Sequence, residues 1–318
     1  MTGPFDKLVD AARSGFDTAD HKPLLQAWQG LALAQIRADL VARLLAAGID
    51  EAADEARFLL NHVVAPASLA EALADPALFS WQQAEQLAAL SWRRLARVPL
   101  SQLLGSQPFW TLDFVVTPDV LTPRADTEAL VDAVLAEASP EAAFLVDLGT
   151  GSGAILLALL SERPAWTGVG VDLSEAALVV AGRNVDRCQL TNRARLARGR
   201  WGEGLADGSV DILVSNPPYI VSDVLAGLDP EVRDHEPALA LDGGADGLDA
   251  YRLIIADLPR LLRPDGLFAL EIGYDQGASV SALARAAGLQ DVRVKLDLAG
   301  QDRVVIGRRS GSADSADG

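Results

Sequence analysis

Val210-Asp211-Ile212-Leu213-Val214 runs directly into Ser215-Asn216-Pro217-Pro218-Tyr219. The first five residues form a short apolar run that predicts a buried strand. The two prolines end that strand, because neither can donate a backbone N–H to a neighbouring strand. The sequence therefore predicts a rigid turn that presents an asparagine side chain, a proline carbonyl and an aromatic ring. Ligands bind at this edge of an open α/β sheet, although Asn-Pro and Pro-Pro also fit an ordinary loop.

Strands and helices alternate around this stretch. The predicted strands are residues 144–148, 167–171, 194–197, 210–214 and 267–272, with two more at residues 292–296 and 303–307. The alternation predicts a mostly parallel sheet with helices on both faces. No helix signal separates the last two strands, so we expect an antiparallel member at the end of the sheet.

The chain before this domain has a different character. Residues 1–98 carry apolar side chains at helical spacing and capping-box pairs such as Ser80 and Gln83, which predicts a small helical bundle. Residues 99–124 include an aromatic, β-branched run that predicts a linker with a β-hairpin. The α/β domain is expected at residues 125–309, and residues 310–318 are expected to form a disordered tail.

Composition narrows the class of protein. Of the 318 residues, half are apolar and the formal net charge is −17. A large negative charge opposes binding to nucleic acid, which depends on cationic contacts to phosphates. The single cysteine, Cys188, excludes an internal disulfide or a cysteine-cluster zinc site. No signal peptide or membrane-length apolar run is visible, so we expect a cytoplasmic protein without a membrane partner.

A glycine-rich loop follows the first predicted strand of the α/β domain. It reads Val146-Asp147-Leu148-Gly149-Thr150-Gly151-Ser152-Gly153-Ala154-Ile155. Glycines let the backbone turn sharply and approach a ligand, and the helix after them offers unpaired N–H groups. The pattern fits a dinucleotide-binding fingerprint as well as a site for S-adenosyl-L-methionine (SAM).

Two acidic residues help to choose between these ligands. Asp172 ends the second strand, where its carboxylate could accept both hydroxyls of a ribose of either ligand. Asp147 lies two residues before the first glycine, where it suits a cationic amino group and would repel a pyrophosphate. Either residue could instead form a helix cap or a turn.

Together, the glycine loop, Asp172 and residues 216–219 resemble the SAM-dependent amino-methyltransferases, which include DNA adenine and protein glutamine methyltransferases. Further motifs are Pro99-Leu100-Ser101-Gln102-Leu103-Leu104-Gly105, Thr122-Pro123-Arg124-Ala125-Asp126-Thr127-Glu128 and Glu271-Ile272-Gly273. With them, nearly the whole chain resembles the HemK/PrmC-type peptide chain release factor glutamine methyltransferases. Ala125 and Ser152 stand where the family commonly has proline and threonine.

The resemblance implies a Rossmann-like, seven-stranded, SAM-dependent methyltransferase domain preceded by a helical bundle that recognises the substrate. It also implies that a monomeric enzyme methylates the side-chain nitrogen of the glutamine in the Gly-Gly-Gln motif of release factors. The implied cofactor-binding residues are Asp147, Gly149, Thr150, Gly151, Ser152, Gly153, Asp172, Leu173, Trp201 and Asn216. The implied substrate-binding residues are Asn216, Pro217, Pro218 and Tyr219, of which Asn216, Pro217 and Tyr219 serve catalysis.

Other functions and roles remain open from the sequence alone. The alternatives are a ribosomal-protein glutamine methyltransferase, a DNA adenine methyltransferase and a non-catalytic NAD- or SAM-binding module. The segment from His235 to Leu239 lacks the second histidine of a zinc-protease motif, so no metal site is expected. Glu271 fits either a residue facing the site or one forming a salt bridge, and Arg303 suits a structural brace.

Overall fold

The computed structural model describes residues 20–64, 66–75, 79–139 and 141–311. The chain forms two compact units, Met1–Gly105 and Ser106–Gly318. Most of the predicted C-terminal tail, residues 312–318, lies outside the described residues, as do residues 1–19. The domain limits at residues 98 and 124 stay predictions.

The smaller unit is helical. Its helices are α1 (Lys22–Trp28), α2 (Leu33–Ala46), α3 (Ala52–Val64), α4 (Pro66–Ala74), α5 (Trp81–Leu95) and α6 (Leu100–Leu104). The predicted capping box at the start of α5 is confirmed, because the Gln83 backbone N–H donates to Ser80 Oγ and the Ser80 N–H donates to Gln83 Oε1. The unit has a core of its own, built around buried residues such as Leu40, Leu59 and Leu87.

The larger unit alternates strands with helices. Its strands are β1 (Ser106–Phe109), β2 (Leu112–Val115), β3 (Phe144–Leu148), β4 (Thr167–Asp172), β5 (Ala194–Arg198), β6 (Val210–Ser215), β7 (Leu262–Glu271), β8 (Gln290–Leu296) and β9 (Asp302–Arg308). Its α-helices are α7 (Glu128–Glu137), α8 (Ala154–Glu162), α9 (Glu175–Arg187), α10 (Pro230–His235), α11 (Asp249–Leu261) and α12 (Gly277–Ala286).

Among the described residues the main sheet has seven strands in the order β5-β4-β3-β6-β7-β9-β8. Strands β3 to β7 run parallel, and β9 is antiparallel to both of its neighbours. The predicted Rossmann-like, mostly parallel sheet with an antiparallel end is therefore confirmed. The strand order reverses at β3 and β6, which places the ligand-binding edge beside these two strands.

Successive residues of the strands pack on opposite faces of this sheet, as the pleat requires. Leu145 joins a hydrophobic cluster with α7 and α8, whereas Val146 joins a second cluster with α11 and α12. Burial on both faces explains why these strands read as continuous apolar runs.

The predicted β-hairpin forms and belongs to the larger unit. β1 and β2 pair antiparallel, and the Phe109 and Phe114 rings meet edge to face with centroids 6.0 Å apart. Both rings lie in the cluster under α7 and α8. Asn184 on α9 ties the hairpin down, because the Val115 N–H donates to its Oδ1 at 2.7 Å. In the described part of the chain, no helix combines the length and the apolar character needed to cross a membrane.

Candidate active site

Two loops leave neighbouring strands at the same level of the sheet. Leu148, the last residue of β3, pairs in register with Ser215, the last residue of β6. The Ser215 hydroxyl donates to the Leu148 carbonyl at 2.6 Å and fixes this register. Gly149 and Asn216 therefore begin their loops side by side.

A cavity of about 590 Å³ opens between these loops, a size typical of small-ligand sites. Most of the predicted site residues line it, namely Gly149, Thr150, Gly151, Ser152, Asp172, Leu173, Trp201, Asn216 and Pro218. Asp147, Gly153, Pro217 and Tyr219 are not among the lining residues. The roles of all these residues in binding and catalysis stay predictions.

The glycine loop wraps closely around the end of β4. Gly149, Gly151 and Gly153 all have positive φ angles, which other residues adopt only with strain. The Gly151 N–H donates to Asp172 Oδ2 at 2.9 Å, and the Ser174 N–H donates to Asp172 Oδ1 at 2.8 Å. Each carboxylate oxygen keeps a further lone pair, so Asp172 can accept hydroxyl groups from a ligand in the cavity.

Asp147 lies beneath the glycine loop. Its side chain is fully buried, and the Thr150 hydroxyl donates to its Oδ2 at 2.6 Å. Burial raises the pKa of Asp147 to about 7, and the nearby Asp172 adds to the rise. Asp147 therefore holds the glycine loop through Thr150. The sequence instead suggests that it contacts a cationic amino group.

Trp201 forms one wall of the cavity. Its φ angle of 50° lies in the left-handed region, which is uncommon for a bulky residue and often marks a functional site. A Cβ added at Gly149 would lie 3.5 Å from its ring. Arg260 holds the loop that follows, because its guanidinium donates to the carbonyls of Gly202 and Leu205.

Several backbone contacts hold the turn at residues 216–219. The Gln276 side chain donates to the Tyr219 carbonyl at 3.1 Å, and the Gly243 N–H donates to the Ile220 carbonyl at 2.8 Å. A Cβ at Gly243 would lie 2.8 Å from the Tyr219 Cα, so only glycine permits this approach. The glycine-rich segment at residues 242–247 therefore braces the turn.

Asn216 is half-buried and contacts Thr127, the last residue before α7. The Asn216 Nδ2 donates to the Thr127 hydroxyl at 3.3 Å. Because Nδ2 faces Thr127, the acceptor Oδ1 remains for a ligand. Local sequence rules predict that Asp126 caps α7, and this prediction is wrong. A 3-10 turn over Ala125–Thr127 precedes the helix, and Asp126 instead pairs with Arg303 at 3.3 Å.

Tyr219 carries a hydroxyl that stays protonated. Burial first, and then the nearby Glu271, raise the pKa of Tyr219 to about 12. The side chain packs with the cluster that contains α11 and α12. It can therefore act by packing and hydrogen bonding, but not as a base near neutral pH.

Two further residues, Glu236 and Asn184, shape the site through long-range contacts. Glu236 is buried and accepts hydrogen bonds from the Thr122 N–H at 3.3 Å and from Arg124 at 2.7 Å. This contact joins two cavity-lining segments that lie more than 100 positions apart in the chain, a separation that no local pattern reveals. Asn184 donates to the Ser152 carbonyl at 2.9 Å and so links the hairpin to the glycine loop. In the sequence, Asn184 could have been recognised as a polar residue on the buried face of a predicted helix.

The chain matches two family models. The methyltransferase small domain matches residues 125–226, and the PrmC N-terminal domain matches residues 35–105. Together they fall on parts of both compact units. No group of three or more potential metal ligands occurs within the described ranges.

Curated relatives match over most of the chain. A release factor glutamine methyltransferase of Caulobacter vibrioides is 49% identical over 269 residues, which are 83% of this chain and 92% of that protein. This chain belongs to the release factor glutamine methyltransferase family. A relative of the same name from Cereibacter sphaeroides is 48% identical over 84% of this chain and 95% of that protein. The family resemblance is confirmed, and the chain is a methyltransferase whose cofactor is SAM.

A solved structure supports the fold alone. The catalytic domain of hMettl16 superposes with a TM-score of 0.51 at 17% identity, over 64% of this chain and 77% of that chain. This likeness agrees with the Rossmann-like sheet.

Proposed function

We propose that this enzyme transfers a methyl group from SAM to the side-chain amide nitrogen of the glutamine in the Gly-Gly-Gln motif of a peptide chain release factor. One observation carries the proposal. The glycine loop and the Asn216 turn leave adjacent strands and line one cavity, so a cofactor and a target side chain can meet there. The choice of a release factor as substrate is supported by the names of the curated relatives.

The cavity residues fit SAM. Asp172 offers carboxylate oxygens to ribose hydroxyls, the loop from Gly149 to Gly153 offers backbone to the methionine part, and Trp201 and Leu173 offer apolar surface. Asp147 supports this loop through Thr150 rather than by lining the cavity. When bound, SAM supplies a methyl group that its sulfonium already activates.

The target amide needs help from the protein, because its nitrogen lone pair is delocalised into the carbonyl. Two acceptors, Asn216 Oδ1 and the Pro217 carbonyl, can bind the two N–H groups of the glutamine. They orient the nitrogen and favour its electron-rich, pyramidal form. A preorganised group of this kind is worth about 3–4 kcal/mol of barrier.

The rest of the turn keeps these acceptors rigid. The Pro217 and Pro218 rings restrict the backbone, and Gln276 and Gly243 hold the next residues. Tyr219 ends the turn with an aromatic ring, a group that favours a nearby cation. An aspartate at position 216 would place a full negative charge beside the sulfonium and stabilise the ground state as well.

The proposed function also implies the partner of the enzyme and its location in the cell. The helical unit helps to dock the release factor, and the enzyme acts as a monomer in the cytoplasm. The net charge of −17 disfavours nucleic acid as a partner.

A methyl-transfer assay tests the proposed function. The enzyme is incubated with SAM labelled in the methyl group and with unmodified release factor, its loop Gln→Ala variant, ribosomal proteins or duplex DNA. We expect label on the release factor, and none on the Gln→Ala variant. Label on a ribosomal protein or on DNA instead, or on nothing, would contradict the proposal.

A further inference from the structure

Glu271 is a buried acid beside the proposed catalytic turn. It ends β7, and it follows Leu270, which pairs in register with Ser215 of β6. Glu271 and Asn216 therefore occupy equivalent positions on adjacent strands. The side chain is buried, with the residue 2% exposed, and its Oε2 has no hydrogen-bond partner among the residues that the structure describes. A buried carboxyl with an unsatisfied oxygen is costly and calls for a functional explanation.

Glu271, Thr127 and Asn216 form a connected group. The Thr127 hydroxyl and the Asn216 side chain both act on the Glu271 carboxyl as hydrogen-bonding groups that lower its pKa. The Asn216 Nδ2 also donates to the Thr127 hydroxyl oxygen at 3.3 Å. An ionised carboxylate accepts hydrogen bonds and donates none. A Thr127 hydroxyl that donates its proton toward the Glu271 carboxylate leaves its oxygen to accept from Asn216, as observed.

This directionality fixes the Asn216 amide. An asparagine amide can turn by half a rotation at little steric cost, so its hydrogen-bond partners decide which end faces which way. Thr127 and Glu271 both present acceptor oxygens to Asn216, so the amide turns its Nδ2 donor toward them. The Oδ1 atom is thereby kept for the substrate.

We propose that Glu271 is a positioning residue that acts through Thr127 to hold the Asn216 amide with its oxygen toward the target glutamine. The inference rests on the proposed function, because it concerns the group that the Asn216 oxygen receives. Glu271 itself does not line the cavity, so it acts through its two neighbours.

The arrangement implies a dependence on pH. Burial raises the pKa of Glu271 to about 7, opposed by hydrogen bonding from Thr127 and by the charge of Arg303 on β9. Asp126, before α7, raises it further, and Tyr219 and Tyr251 of α11 also interact with Glu271. Above about pH 7 the carboxylate is ionised and the amide is oriented. Below it the protonated carboxyl can donate, and the selection of Nδ2 is lost.

Single-turnover methyl transfer at saturating SAM tests this inference between pH 5.5 and 8.5. In the wild type we expect the rate to fall as pH drops through about 7. Glu271→Gln keeps the shape of the side chain but can donate as well as accept. We expect it to lower the rate at pH 8 by about 10- to 100-fold, to remove the fall below pH 7 and to leave SAM affinity unchanged. Glu141→Gln, the same change at an exposed position before β3, is the control.

Thr127 provides a second test. Thr127→Val removes the hydroxyl at similar volume, and Thr127→Ser keeps it. We expect the valine variant to lose as much rate as Glu271→Gln, the serine variant to retain the rate, and the double variant with Glu271→Gln to lose little more. Residues that act through one pathway give such non-additive losses. Fully additive losses would contradict the inference.

Nuclear magnetic resonance provides a readout that does not depend on activity. The asparagines of the chain are Asn61, Asn184, Asn192 and Asn216, so selective labelling gives few side-chain amide signals. We expect the Asn216 signal, assigned by its loss in Asn216→Ala, to titrate near pH 7 in the wild type but not in Glu271→Gln. If wild-type enzyme methylates the release factor but Glu271→Gln matches its rate and pH profile, the inference fails alone. If the wild type transfers no methyl group, the proposed function fails, while the titration still tests the contact.

Discussion

At the scale of single residues, burial decides the charge of the acids around the site. Asp147 and Glu271 are both buried, and burial raises the pKa of each to about 7. Asp172 lies at the surface of the cavity and accepts two backbone N–H groups. Carboxyl groups on neighbouring strands can therefore serve different purposes, because each has a different environment.

Asp147→Asn tests the cost of the buried charge. The folded protein holds the Asp147 proton up to about pH 7, whereas the unfolded chain loses it near 3.8. Stability from this residue therefore falls as pH rises between these values and stays lower above them. We expect the variant and the wild type to melt alike at pH 5.5, and the variant to be more stable by roughly 1–3 kcal/mol at pH 8.5. Greater wild-type stability at pH 8.5 would show that other contacts stabilise the ionised form.

At the scale of elements, the glycine loop depends on a close fit to β4. Gly170 of β4 pairs in register with Asp147 of β3. A Cβ at Gly170 would lie 2.7 Å from the Thr150 hydroxyl and 2.9 Å from its methyl group. Because Gly170 has no side chain, Thr150 has the space to approach β4 and donate to Asp147.

Gly170→Ala tests this fit. We expect the added methyl group to displace Thr150, to lower the free energy of unfolding by about 1–3 kcal/mol and to weaken SAM binding, as measured by calorimetry. Gly182→Ala, inside α9, is the matched control. A Cβ at Gly182 would lie 3.9 Å from the nearest atom, which belongs to Leu196, so the added methyl group fits. That change should stabilise the protein by about 0.5–1 kcal/mol. Equal effects of the two changes would refute the steric argument.

Most elements of the larger unit could be predicted from the sequence. Strands buried on both faces leave continuous apolar runs, and glycines and prolines mark where their loops begin. The glycine loop and the Asn216 turn also carry a dense local signal, which is why most predicted site residues fall on one cavity.

What the sequence could not reveal depends on contacts between distant residues. Glu236 meets Thr122 across 114 positions, and Thr127 meets Asn216 across 89. Asp126 fits a helix cap by local rules, but Arg303 lies near it only after the sheet has formed. Ser68 likewise suits an N-cap, yet α4 already begins at Pro66.

At the scale of the whole molecule, the cavity proposed for the cofactor lies within the larger unit alone. Each compact unit has its own core. All residues lining the cavity lie between Asp119 and Leu253, within the larger unit. Within the described ranges, the helical unit contributes no side chain to the cavity, which agrees with the proposal that this unit docks the release factor.

A chain that begins at Ser106 tests this separation. We expect it to bind SAM with the affinity of the full chain, because every cavity-lining residue is retained. Its KM for the release factor should rise, because the surface proposed for docking is gone. Methyl transfer with an unchanged KM would contradict the docking role, and loss of SAM binding would contradict the separation.

In the proposed mechanism, Asn216 holds the target amide while other residues hold the cofactor. The most direct measurement compares wild type and Asn216→Ala in SAM affinity, by calorimetry, and in single-turnover methyl transfer to the release factor. We predict that the affinity is unchanged and that the transfer rate falls about 100- to 1,000-fold. Equal losses of affinity and rate, or a rate that survives the change, would contradict the claim.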